Sequence, residues 1–194
     1  MRSRVKPLGK ARSGTSWALT RYPAAALASL ALLFSFSGVG LAAGSTIRSS
    51  DGAFETVIPH GFANKTAEYS GSAIRVDLLV LRPAANGFAV NINVVRERIK
   101  SVNVSALTQA SIAFERDTTR DHAFSTPQSL SVDGDAARAY DYLNPLDGKT
   151  VRQRQVYVIH DGWAYVMTYS ALSGSQYQGS LSALGQVLSG WRWL

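Results

Sequence analysis

A period of two along FAVNINVV, residues 88–95, places Phe88, Val90, Ile92 and Val94 on one face and Ala89, Asn91, Asn93 and Val95 on the other. The pattern predicts a β-strand. It follows DLLVLRP (77–83) across an Asn86-Gly87 dipeptide, a strong hairpin-turn signal. Three further Asp-Gly pairs, at 133-134, 147-148 and 161-162, separate QSLSV from DAARAYDYL, that strand from KTVRQRQVYVIH, and the latter from WAYVMTYSA. A type I′ turn needs positive φ at both central residues, which Asp tolerates and Gly adopts freely. The series predicts an antiparallel meander.

Two segments break the alternation. Over 104–117, Leu107, Ala110, Ser111 and Phe114 recur at helical spacing, with Asn103 or Ser105 as N-cap. Near the C-terminus Tyr177, Leu181, Leu184, Leu188 and Trp191 form an apolar stripe, which Gly190 is expected to end. A two-residue turn at Asp161-Gly162 sets a register: His160 opposite Trp163, Val158 opposite Tyr165, Ile159 opposite Ala164 and Tyr157 opposite Val166. Both faces of that hairpin are apolar near the turn, so both are expected to be covered. The fold class that follows is α+β, an antiparallel sheet layered between helices.

Charge changes the picture less than the net value of +7 suggests. Residues 1–43 hold Arg2, Arg4, Lys6, Lys10, Arg12 and Arg21 and no acidic residue. The remainder therefore has 14 basic (20 less 6) against 13 acidic side chains. That near-balance gives no support to nucleic-acid binding. The basic start, the uncharged run 24–44 and the small residues Ala42, Ala43 and Gly44 read as a signal peptide with its cleavage region, or as an uncleaved N-terminal membrane anchor. In either case the domain is expected on the far side of the membrane, touching it only through 24–44 if uncleaved. The division is 1–43 leader, 44–53 polar linker, 54–194 domain. With no cysteine, disulfides, thiolate metal sites and a lipid-modified cysteine are excluded.

Candidate chemistry is sparse. His160-Asp161 invites a catalytic reading, but a histidine base needs an orienting carboxylate and a nucleophile or water in reach, and Asp161 is taken up by the turn. His60 and His122 lack metal-ligand spacing to a second histidine, and no P-loop, G-x-G-x-x-G, H-E-x-x-H or G-x-S-x-G occurs. No catalytic residue, metal or cofactor is assigned. Arg96 and Arg98, with Lys100, share one side of a strand end and read as a solvated end or an anionic-partner surface. Asn91 and Asn93 on a largely apolar strand either bond to neighbouring loops or line a pocket. Trp163, Trp191 and Trp193 read as core or sheet-cap residues. Asp141 and Arg154 fall opposite each other if Asp147-Gly148 sets the register.

In order along 54–193, FETVIPHGF with its P-x-G-aromatic turn, GFAVNINVVRERI, the helix after it, SVDGDAARAYDY, QVYVIHDGWAYVMTYSA and a last helix ending GWRW resemble the PsbP-like superfamily of PsbP, DcrB and LpqN-type proteins. The resemblance implies an α/β/α sandwich around an antiparallel sheet and a non-catalytic adaptor, scaffold or chaperone-like role. It carries no catalytic motif across. The lipidation cysteine typical of the LpqN and DcrB types is absent here. The expected function is an exported domain that binds another protein or an envelope component. A small-ligand carrier with a pocket near Asn91, Asn93 and the C-terminal aromatics is the alternative, and a hydrolase using His160 the more remote one.

Overall fold

The computed structural model describes residues 44–69, 75–84, 86–118 and 123–194. The expected leader, with Ala42 and Ala43, lies outside them. Ten strands and two α-helices follow in the order β1 (Thr46–Arg48), β2 (Phe54–Val57), β3 (Ala63–Asn64), β4 (Val76–Leu81), β5 (Asn91–Arg98), α1 (Val104–Thr118), β6 (Gln128–Val132), β7 (Asp135–Leu146), β8 (Lys149–His160), β9 (Trp163–Leu172), α2 (Ser175–Ser189) and β10 (Arg192–Trp193). Seven strands form an antiparallel sheet ordered β3-β4-β5-β9-β8-β7-β6, and β1-β2-β10 form a small second sheet. The fold is α+β, as expected.

The meander is built by its turns. Asp133, Asp147 and Asp161 have φ of 45°, 47° and 46°, each followed by a positive-φ glycine. The β8–β9 register puts His160 opposite Trp163 and continues to Val151 opposite Leu172. Asn86-Gly87 also has positive φ at both residues. It does not close a two-residue hairpin, however, because Leu81 pairs with Asn91 and leaves a longer connection.

Both faces of the large sheet are covered. On one, Leu78, Val80, Ile92, Val94, Met167 and Tyr169 pack under α2 and the small sheet, with Phe54 and Trp191 at its centre. On the other, Leu79, Val95, Tyr140, Tyr157 and Val166 pack under Leu107 and Ile112 of α1.

Three expectations need correction. The 44–53 segment is not a linker: β1 pairs with β2, Arg48 opposite Glu55, and Ser49 is buried, its hydroxyl accepting the Phe54 N–H at 3.2 Å. Helix α1 buries Leu107, Thr108, Ser111, Ile112 and Glu115, while Ala110 is exposed and Phe114 is 39% exposed. Its inward face is rotated from that stripe and brings Ser111 to the buried Tyr157 hydroxyl and Glu115 near those of Tyr140 and Tyr157. Helix α2 centres on Tyr177, Ser180, Ala183, Leu184 and Val187, leaving Leu181 and Leu188 half-buried on its flank. Gly190 does end it, with φ −83°; a Cβ there would come 2.9 Å from a Val57 methyl, so glycine serves close approach to β2.

Candidate functional site

The Asp161-Gly162 turn holds His160 against a carboxylate, but a different one from its sequence neighbour. Nδ1 lies 2.7 Å from Asp135 Oδ2, whereas Nε2 is 3.6 Å from the exposed Asp161. The ring stacks on Trp193, centroids 4.1 Å apart and planes within 4°. The backbone N–H of Trp193 donates to Asp133 Oδ2 at 2.8 Å. Two turns and the C-terminal segment are thus pinned together. Asp135 was within reach of sequence reasoning: the β7–β8 pairing reaches Ala137 opposite Val158, and the same register extended by two residues sets Asp135 against His160.

Arg96 is neither a solvated strand end nor free for an anionic partner. Its strand is interior, between β4 and β9, and its side chain is 7% exposed. The guanidinium pairs with Asp51 and, at 3.1 Å, with Asp77, and lies 4.6 Å above the Trp163 ring. Asp77 is wholly buried and also takes Arg75 at 3.2 Å and the Ser50 hydroxyl at 3.3 Å. Burial pushes the Asp77 carboxyl up, outweighing the pull of Arg96 and Arg75. Burial acts the same way on Asp51, but the Ala53 N–H, the Ser49 hydroxyl and Arg96 together hold it below its usual value. Arg98 is exposed, with its guanidinium 5.5 Å from the Trp163 ring. Asp141 and Arg154 meet at 2.8 Å in the expected register, and Arg152 joins at 2.6 Å.

Asn91 and Asn93 are fully buried and belong to a polar tier beneath α1. Strand register sets Asn91 beside Ser170 and Gln153, and Asn93 beside Thr168 and Gln155. Gln155 is the hub. Its Oε1 accepts the Tyr140 and Tyr157 hydroxyls, each at 2.6 Å, and its Nε2 donates to Tyr142 at 3.3 Å. Gln153 donates to Ser170 at 2.9 Å. Burial drives the Tyr140 hydroxyl far above its ordinary pKa and pushes Tyr157 up to about 12, so both stay protonated donors at neutral pH. Asn93 Oδ1 and Thr168 Oγ1 are buried without a hydrogen-bond partner among the described residues.

Trp191 and Trp193 are not near this tier. Period-2 alternation sends Asn91 and Asn93 to the α1 face, while Trp191 sits in the core of the opposite face, stacked on Phe54 at 3.8 Å. The structure therefore does not bring together the asparagines and tryptophans expected to share a pocket. Gly44 is exposed, and its N–H donates to Ile58 at 3.2 Å.

The surface feature that sequence reading missed lies between α2 and the sheet margin. Leu181, Leu184 and Leu188 of α2 face Leu130 of β6, Ala139 of β7 and Val156 of β8 across an open groove of about 300 Å³. Its rim carries Gln128, Ser129, Gly185 and Arg154, the last already held by Asp141 and Gln128. Neither β6 nor α2 contains a charged residue. Among the described residues, no three His, Asp or Glu side chains converge as metal ligands. No helix among them is long and apolar enough to cross a membrane.

No family model and no curated protein matches the sequence. Solved structures do match the fold. The cyanobacterial PsbP, CyanoP, of Synechocystis sp. PCC 6803 aligns with TM-score 0.58 at 16% identity, over 84% of this chain and 99% of its own. The Saccharomyces cerevisiae Ran-binding protein Mog1p aligns with TM-score 0.51 at 13% identity, over 77% and 94%. LpqN of Mycobacterium tuberculosis, described as involved in cell envelope biogenesis, aligns with TM-score 0.50 at 13% identity, over 76% and 83%. At such identities the likeness is one of architecture. With its helix-covered antiparallel sheet and its meander of Asp-Gly turns, the chain has the PsbP-like fold.

Proposed function

We propose that this chain is an exported, non-catalytic domain that works by binding another protein or an envelope component. The observation that carries the reading is where the polar groups are spent. Those of the Arg96 cluster and the Gln155 tier are buried and engaged in holding elements together, whereas the exposed α2–β6 margin has an apolar groove between two elements without charge, Arg154 on its rim being paired with Asp141. Interface centres are depleted in charge in the same way. That a fold-mate is a Ran-binding protein and another is tied to cell envelope biogenesis agrees with a binding role. Export rests on the leader, and the mature N-terminus of the protein in its host tests it.

The binding reading is tested by a photo-crosslinking residue placed at Gln128, exposed on the groove rim, with Gln109 on α1 as control, in the full chain expressed in its host. A discrete adduct from position 128 and none from 109 is expected. No adduct at either position, with the chain isolated as a monomer, overturns the reading.

A further inference from the structure

We infer that the α2–β6 groove is a binding site for a fatty acid, a single acyl chain lying between α2 and the sheet with its carboxylate on Arg154. This rests on the binding reading above and takes the envelope component to be a lipid.

The groove has a polar end and an apolar end, and strand register sets which is which. Gln128, Ala139 and Val156 stand in one row across β6, β7 and β8. The next row on one side holds Leu130 and Val158, and the next on the other side holds Asp141 and Arg154. Helix α2 follows the same direction. Tyr177 near its start meets Tyr169, the cross-strand neighbour of Arg154, with ring centroids 5.1 Å apart. Trp191, just beyond its end, meets Tyr165, the neighbour of Val158, at 6.4 Å. Leu181 therefore lies toward Arg154. Leu188 lies toward Leu130, about 10 Å further along the helix at about 1.5 Å per residue.

Charge is the second observation. Asp141 takes both Arg152, at 2.6 Å, and Arg154, at 2.8 Å, so one carboxylate faces two guanidinium groups. No acidic side chain lines the groove. The Arg154 side chain is 24% exposed, with Nε on Asp141 and Nη2 donating to the Gln128 amide oxygen. Its Nη1 makes no hydrogen bond among the described residues. A carboxylate arriving at this end meets a surplus positive charge with N–H donors open to it.

Shape and backbone pairing select an alkyl chain. A groove of about 300 Å³ stands at the lower limit of small-molecule sites. The floor strands β7 and β8 are paired on both edges, so they offer no N–H or C=O to a peptide laid in the groove. The peptide's own polar groups would go unsatisfied there. An α-helix, about 10–12 Å across, would rest on the rim without entering. A methylene chain needs no hydrogen bond, and Ala139, Val156, Leu130 and Leu184 give it apolar contact on the floor and both sides. Gly185 keeps the rim low. A Cβ built on it meets nothing within 4 Å, so no contact inside the chain requires glycine in mid-helix.

The test uses the full chain in phosphatidylcholine nanodiscs and a decanoate carrying a photoreactive diazirine at its methyl end, with labelled residues read by peptide mass spectrometry. Labelling is expected at Leu130 or Leu188, the end away from Arg154. Decanoate should suppress it at least tenfold more effectively than decanol, which has the chain without the charge. Arg154→Gln leaves Asp141 paired with Arg152 and should weaken labelling about tenfold while the chain stays folded. Gly185→Leu, whose Cβ has open space, should abolish labelling without loss of thermal stability. No labelling in the groove, labelling confined to the Arg154 end, equal suppression by decanoate and decanol, or labelling that survives Gly185→Leu overturns the proposal. A self-adduct from the photo-crosslinking residue at position 128 puts a second copy in the groove and also overturns it. If position 128 captures another protein while decanoate labels nothing, the fatty-acid site fails and the binding role stands; if neither occurs, both fail.

Discussion

Arg96 shows how one side chain can carry several attachments at once. It joins β5 to β4 through Asp77 and to the β1–β2 turn through Asp51, and packs on Trp163 of β9. Removing it leaves Asp77 buried with only Arg75 as cation, so Arg96→Ala is expected to cost about 3–5 kcal/mol in urea denaturation. The two carboxylates titrate with opposite sign. Asp51, held below its usual value, contributes stability present above the unfolded pKa and lost as pH falls through its folded value. Asp77, raised by burial, contributes stability present below the unfolded pKa, which is lost as pH rises through its folded value. Relative to the parent chain, Asp77→Asn should therefore gain stability as pH rises from about 4 towards 7, whereas the deficit of Asp51→Asn should be constant in that range and shrink as pH falls below about 4; denaturation midpoints from acid to neutral pH decide. Asp141–Arg154 was legible because one turn fixed its register. Arg96 was not: the β4–β5 connection is longer than the Asn86-Gly87 turn predicts and its register shifts between Val76 and Leu78, beside Asp77, while Asp51 comes from a segment read as linker.

At the scale of elements, the strands were read more accurately than the helix faces. Asp-Gly turns fix strand register by geometry, and register fixes which residues face together. A helix face was inferred from spacing alone, which held for Leu107 and Ser111 at α1 but failed for Ala110 and Phe114, because Thr108, Ile112 and Glu115 turn inward instead. The same tier makes the element-level prediction. Tyr140→Phe removes one hydroxyl from a hub that keeps Tyr157 and Tyr142, and is expected to cost about 1 kcal/mol. Gln155→Leu deprives three tyrosine hydroxyls of their shared partner and is expected to cost about 2–4 kcal/mol. Equal costs for the two changes in chemical denaturation would mean that Gln155 does not act as a hub.

For the molecule as a whole, the class of fold and its two-sided cover were legible from the hairpin, but the small sheet was not. Strands of two to four residues carry too little alternation to be seen. Yet this sheet seals one face of the core. Trp191 is wholly buried against Phe54, and Trp191→Ala should cost about 3–5 kcal/mol, read by loss of thermal and urea resistance. The α2–β6 groove was missed for a related reason: it exists only where β6, β7, β8 and α2 come together. The small sheet also imposes a timetable. Trp193 pairs with Phe54 across 139 residues (193 − 54). At about 5–20 residues per second, β2 is made roughly 7–30 s before the strand that pins its second edge. Until then its core face lacks Trp191 and the α2 cover, so most of the domain exists as chain before it can close. Under the export proposed above, a machinery that threads unfolded polypeptide would meet the chain while it is still open.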